Sequence, residues 1–459
     1  MVKSSLKKVF IKNFKSLHDC EIDIGKMNVV VGANASGKSN LVEVFRLLKK
    51  IYADKDNFPF LEWWGYDNVV WQRKEELPII IGLLFDIEGY EVYFEISFAG
   101  VGKNFQILRE ILDIREYVKF EKEGEWITII HNPDFIDDII KNLNKYEITT
   151  EARTKLRKAK SRLTKEKRFQ VELEERLLEY SFYDLPTGDD FIEKKTKKSF
   201  MLSNYPTPTL SYKINKKMEQ ITVLHPIRYY EEQFQGSSFW FPESLFETAK
   251  DLIITVFRKL IVLFPLNIRS MKTPQPFRRE ETIKEDGTNI ASVYHTIYLK
   301  EGKIPEEIYN PFAMVFPKID IRPHITDDGR VMIKFFEDGL ELLPPNTSDG
   351  FYKILTVLTA IYLKPPLLII DEIENSLHPE TLELILDTIR AADVQAIITT
   401  HSPVVVDMTE PEDMILVEKE QGESRFMRIK DPDKVRDFLK EKGITFSVGW
   451  LYGELPRTE

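Results

Sequence analysis

Apolar and polar residues alternate through KKVFIKNF at positions 7–14, then give way to the mostly apolar MNVVVG at 27–32, a pattern that predicts two strands leading into the stretch VGANASGKSN at 31–40. Directly after it, apolar residues at 41, 42, 44, 45, 47, 48 and 51 repeat with helical period. Strand, glycine-containing loop and helix therefore follow one another without a break. From Leu77 to about Ile114, β-rich runs are broken by turn signals such as EGY and AGVGKN, which predicts an antiparallel meander. Between 134 and 200 the chain becomes highly charged, and EARTKLRKAKSRLTKEKRFQVELEERLLEY has the composition of a long exposed helix or helical hairpin. Proline and aromatic residues return at 201–245, and from 246 to 459 helical and strand patterns alternate. The apolar stretch Asp251–Leu266 carries Arg258 and Lys259 at its middle and predicts an amphipathic core helix, not a membrane span. These shifts divide the chain into an N-terminal lobe (1–133), a charged helical insertion (134–200) and a C-terminal lobe (201–459), with no internal repeat.

Composition narrows the picture. At 459 residues and 43% hydrophobic content the chain can bury a large core. Its formal net charge of -10 argues against coating nucleic acid through bulk electrostatics, although a local basic patch stays open. Cys20 is the only cysteine, which excludes an intramolecular disulfide and a multi-cysteine zinc site. The start, MVKSSLKKVFIKNFKSL, lacks the apolar stretch and cleavage site of a secretory signal, so a cytoplasmic protein is expected.

The chemistry is concentrated in three places. Gly32-Ala33-Asn34-Ala35-Ser36-Gly37-Lys38-Ser39 fits G-x-x-x-x-G-K-[ST] without a mismatch. Glycines at that spacing let successive backbone N–H groups curl around phosphate oxygens at a helix N-terminus. Lys38 would neutralise the β/γ oxygens of ATP and Ser39 would supply one ligand to Mg2+. In LLIIDEIENSLHP at 367–379, an apolar strand ends in two acids: Asp371 would hold Mg2+ and Glu372 would accept a proton from the attacking water. A third strand, QAIITTHSP at 395–403, ends in His401, which would reach a γ-phosphate.

The order of phosphate loop, DE pair, SLHP and TTHSP, with the opening IKNFKSL, resembles the ABC-type ATPases of the RecF/SMC group, above all the compact "AAA family ATPase" members found in genome maintenance and phage defence. The resemblance covers about 5–55 and 340–455. It implies an α/β P-loop ATPase head with an antiparallel β subdomain and a short coiled-coil-like insertion. It also implies a head-to-head homodimer, open to higher assembly, with ATP between the loop of one copy and a signature segment of the other. The matching segment is Asn346-Thr347-Ser348-Asp349-Gly350, where Ser348 or Asp349 can cap the following helix and leave N–H groups free for a γ-phosphate. SDG stands where transporters have SGG, a change shared with RecF-like relatives. Ser348 joins Glu372 and His401 as a catalytic candidate, and Ser348 and Gly350 join the loop residues, including Asn40, as nucleotide contacts. Lys15 and Ser16 stand where the family brings a basic residue and a serine to the nucleotide, and Ser376–Pro379 resembles the D-loop. The lid glutamine is not assignable among Gln72, Gln106 and Gln235.

In 151–170, nine lysines and arginines face two glutamates, a stripe that could track DNA, though glutamates follow it at once. Arg228 lies in HPIRYY, similar to a segment recurring in the compact ATPases. No separated acidic metal motif follows His401, so the chain is expected to lack its own nuclease and to act with a separate effector protein, as in PARIS- or Septu-like systems. A membrane-transporter subunit, a RecF-like DNA-repair loader and a simple P-loop kinase or GTPase are the competing readings.

Overall fold

The computed structural model describes residues 4–87, 89–100, 105–115, 117–124, 126–132, 168–172, 210–214, 217–221, 253–375 and 377–455. The basic stripe at 151–167, Arg228 and Ser376 lie outside them. The chain forms two compact units. One comprises 56–255 with a few N-terminal residues, and the other brings 14–55 together with 256–459.

The first unit is built on the meander that the sequence predicts. Strands Ile79–Ile87, Tyr90–Ala99, Gln106–Ile114, Val118–Glu123 and Trp126–His131 pair antiparallel in chain order. Ile79, Ile81, Leu83, Phe85 and Ile87 share one buried face, and Gly82 and Leu84 between them are buried as well. The rings of Phe60, Tyr66, Phe98 and Phe105 pack against one another at 5.3–5.9 Å. One expectation fails here. Residues Arg168–Glu172 lie in the stretch read as helical, yet they form a strand paired with Trp126–His131. Phe169 and Val171 alternate with polar residues there, a period-two signal that the surrounding charge obscures.

The second unit holds a six-stranded sheet in the order 261–263, 368–370, 396–400, 27–32, 414–420, 423–428, parallel throughout except for the final hairpin. Its central strands are covered on both sides and are mostly apolar for that reason. Ile261–Leu263 corrects a second expectation: helix occupies 253–259 and then stops, and the β-branched Ile261 and Val262 enter the sheet beside Leu368 and Ile369. Helix Lys38–Tyr52 buries Leu41, Val42, Phe45 and Leu48, with Lys49 and Lys50 in its last turn, and Tyr52 stacks on Phe257 at 5.3 Å. Helix Asp349–Tyr362 is buried almost throughout, with Phe351 and Tyr352 meeting Phe335 of the small antiparallel sheet 319–342. Among the described residues no helix is long and apolar enough to cross a membrane.

Ile369 is fully buried between two parallel neighbours. Its replacement by Ala should lower stability by about 2–4 kcal/mol through lost burial and the cavity left behind. Urea denaturation measures this, and a loss below about 1 kcal/mol would mean that the sheet collapses around the gap.

Candidate active site

The parallel register decides which side chains meet. Ile370 pairs with Ile398, Ile398 with Val29, and Thr400 with Val31, so the three strands end at one edge of the sheet. Gly32, Asp371 and His401 follow directly, which is where open α/β sheets place their ligands.

The loop can curl only because of its glycines. A Cβ on Gly32 would stand 2.4 Å from the Val417 carbonyl and 2.6 Å from Ser36 Oγ. Gly37 sits at φ 112°, and its Cβ would fall 2.0 Å from Ser424 Oγ. The exposed tip, Ala33 to Ala35, includes Ala35 at φ 61°. Lys38 reaches back across the loop and donates to the carbonyls of Gly32 at 2.8 Å and Ala33 at 3.0 Å. Burial pushes its pKa down, while Asp371, Glu372 and Glu374 oppose that shift. The buried Ser36 hydroxyl has no hydrogen-bond partner among the described residues.

Asp371 Oδ1 lies 3.4 Å from Ser39 Oγ and also accepts from Thr399 Oγ1. The same Thr399 hydroxyl accepts from the Glu372 N–H at 2.9 Å. Glu372 stands at φ 50°, left-handed backbone that costs a residue other than glycine about 1–2 kcal/mol. Its carboxylate accepts from Asn375 Nδ2 at 2.8 Å. His401 is exposed, and Glu374 holds it twice, through the backbone N–H and through Nδ1, each at 2.9 Å.

Other expected contacts are engaged elsewhere. The Lys15 ammonium pairs with Glu43 of the loop helix. Ser16 is buried, its hydroxyl shared between Asn40 Nδ2 and Ser424 Oγ, each at 2.6 Å, while Ser424 Oγ donates to the Ser36 carbonyl. Lys15, Ser16 and Asn40 thus brace the loop from within the protein. Of the two possible caps, Ser348 is the one that accepts from the Gly350 N–H, at 3.2 Å. Asp349 instead pairs with Lys272, whose ammonium also donates to the Thr347 carbonyl, both at 2.7 Å. Sequence reasoning passed over Thr399, Glu374, Ser424, Lys272 and Lys353. Only Thr399 left a signal, as one of two threonines that end an otherwise aliphatic strand.

These groups fit Mg2+ and a triphosphate. Ser39 and Asp371 offer hard oxygen donors of the kind Mg2+ takes one or two at a time. Among the described residues no cluster of three or more His, Cys, Asp or Glu is placed to bind a metal. The strained loop and the unpartnered Ser36 hydroxyl present polar groups that phosphate oxygens would satisfy.

Burial raises the Asp371 carboxyl above its usual 3.8, against the pull of Thr399 and Ser39. A carboxyl raised on folding contributes stability that is complete below its unfolded pKa and is lost as pH rises through the folded one. Above that folded pKa the ionised Asp371 therefore opposes folding. Asp371→Asn keeps an acceptor for Thr399, and it should raise the melting point of the nucleotide-free protein at pH 7. The expected gain is small, since about 1 kcal/mol moves Tm by only roughly 1 °C in a chain of 459 residues. The gain should shrink toward pH 4, and thermal melts at both pH values check it; an unchanged or lower midpoint at pH 7 contradicts the assignment.

No curated protein matches the chain. Among solved structures, the Smc head bound to the C-winged helix domain of ScpA is 12% identical, with 94% of this chain and 100% of that one covered at a TM-score of 0.46. A Smc head with an extended coiled coil bound to the C-terminal domain of ScpA, from Pyrococcus furiosus, is 13% identical over 96% and 100% at 0.46. The SMC head domain from Thermotoga maritima is 12% identical over 93% and 99% at 0.38. Likeness at that level says nothing of what this chain does. The family described as "AAA domain, putative AbiEii toxin, Type IV TA system" matches residues 27–198 and 260–407, well over half of the sequence. The chain belongs to that family of AAA ATPase domains, in agreement with the resemblance its motifs carry.

Proposed function

We propose that this protein binds ATP with Mg2+ on the loop Gly32–Ser39 and hydrolyses it as a head-to-head dimer, each copy closing the other's site with Ser348 and the helix that Ser348 caps. One observation carries the reading: Lys38, Ser39, Asp371 and Glu372 stand together at one edge of a parallel sheet, with Ser39 and Asp371 3.4 Å apart. Lys38 and the loop N–H groups would orient the phosphates. Ser39 and Asp371 would hold Mg2+, which when bound offsets charge on the phosphate oxygens. Glu372 would take the proton of the attacking water, and His401, fixed by Glu374, would face the γ-phosphate. Ser348 and Asp349 are exposed at the helix start, so its positive end is open to a second copy. The toxin–antitoxin wording of the family description supports a defence setting in which the ATP state controls a separate effector protein. The basic residues of 151–170 are the candidate DNA contact.

Lys38→Ala should abolish ATP binding. Glu372→Gln should bind ATP, remain dimeric and lose about 10²–10⁴-fold in kcat. Ser348→Arg should bind ATP within a few-fold of the parent yet fail to hydrolyse it. Equilibrium titration, phosphate release and sedimentation check these outcomes. Full-rate hydrolysis by a solitary chain at any dilution would remove the composite site. Charge reversal at Arg157, Lys158 and Arg162 should weaken any DNA-stimulated hydrolysis and flatten its salt dependence, and unchanged stimulation assigns the stripe to solvent.

A further inference from the structure

Lys353 lies on the helix Asp349–Tyr362, just inside the Ser348 cap, and is only 7% exposed. A lysine in that position must find partners for its ammonium. Lys353 Nζ donates to two backbone carbonyls, Glu372 at 3.2 Å and Asn375 at 2.6 Å. These residues bound one turn, closed by the Asn375 N–H on the Glu372 carbonyl at 3.2 Å. Inside that turn Glu372 holds its left-handed backbone, and Asn375 Nδ2 touches its carboxylate. The ammonium therefore grips both ends of the strained element that aims Glu372.

We propose that Lys353 is a positioning residue: it ties the helix that begins at Ser348 to the turn that carries Glu372, so that the seat of this helix sets where the Glu372 carboxylate stands. The inference rests on the ATPase reading above and adds a path within one chain. The end of the helix that would meet the other copy's γ-phosphate is joined, through one side chain, to the proton acceptor of its own site. Lys272 holds the same helix start through Thr347 and Asp349, which fixes the end from which Lys353 reaches the turn. Burial pushes the Lys353 pKa down to about 8, which leaves the ammonium charged at neutral pH.

The test uses the full chain carrying Lys353→Met, Lys353→Gln or Lys353→Arg, alone and with Glu372→Gln, and reads MgATP affinity, kcat, KM and thermal midpoint. Lys353→Met should keep ATP affinity within about 3-fold and an unchanged KM while kcat falls about 10–100-fold, the scale of an ångström-sized misplacement. Lys353→Arg, which can reach both carbonyls, should recover most of that loss. Because Lys353 acts through Glu372, adding Lys353→Met to Glu372→Gln should slow single-turnover hydrolysis by less than about 2-fold more. Wild-type kcat in Lys353→Met, losses that multiply in the double variant, or joint loss of ATP affinity and turnover would each overturn the proposal. Failure of both Lys353→Met and Lys353→Gln to fold overturns it as well, since the lysine then serves the fold alone. The underlying reading fails separately, if Glu372→Gln by itself hydrolyses at the wild-type rate.

Discussion

The hydroxyl of Thr399 stands between two acids, donating to the Asp371 carboxylate and accepting from the Glu372 N–H. That group adds to the backbone pairing of 368–370 with 396–400, the strand that is itself in register with the loop strand 27–32. A shift of one residue along any of these strands would move Asp371 away from Ser39. The site is a property of register first and of side chains second. The same contact keeps a carboxylate partly buried against its preference, the arrangement expected where a cation completes the charge balance.

Strain is gathered around this edge. Lys15, Ala35 and Glu372 all sit at positive φ, and Gly37 lies at φ 112°. Such conformations persist only where surrounding structure over-determines them. The surroundings here are specific: Ser16, Asn40 and Ser424 form a buried hydroxyl–amide chain under the loop, and Lys353 and Asn375 clamp the Glu372 turn. A loop held open in advance loses little freedom when phosphate arrives, which is the physical advantage of building it on a rigid sheet.

The helix that starts at Ser348 combines two roles that pull in different directions. Its body is apolar and buried, with Thr356 and Thr359 returning their hydroxyls to the carbonyls one turn back. Its first residues are exposed and polar, with Lys272 neutralising Asp349 beside the positive end of the helix. A rigid body with one open end suits an element that must transmit position without deforming.

Local chemistry alone made much of this legible. A glycine loop between an apolar strand and a helix, two acids after a buried run and an alternating meander are each set by neighbours in the chain, so period and spacing reveal them. Ile261–Leu263 is hidden in the sequence because three residues are too few to show a period, and a seat in the sheet beside 368–370 outweighs the helix ahead of them. The strand at 168–172 was hidden by the charges around it. Ser424, Lys353, Lys272 and Glu374 carry no local mark, since their partners lie 19 to 408 residues away along the chain or depend on a turn only the folded backbone makes. The amino-acid order therefore determined which groups are the candidates to hold phosphate and metal, because that is a matter of residue type and short spacing. Only the tertiary structure decided which buried side chains hold those groups in place, because hydrogen bonds between distant segments exist only once the sheet has fixed their register.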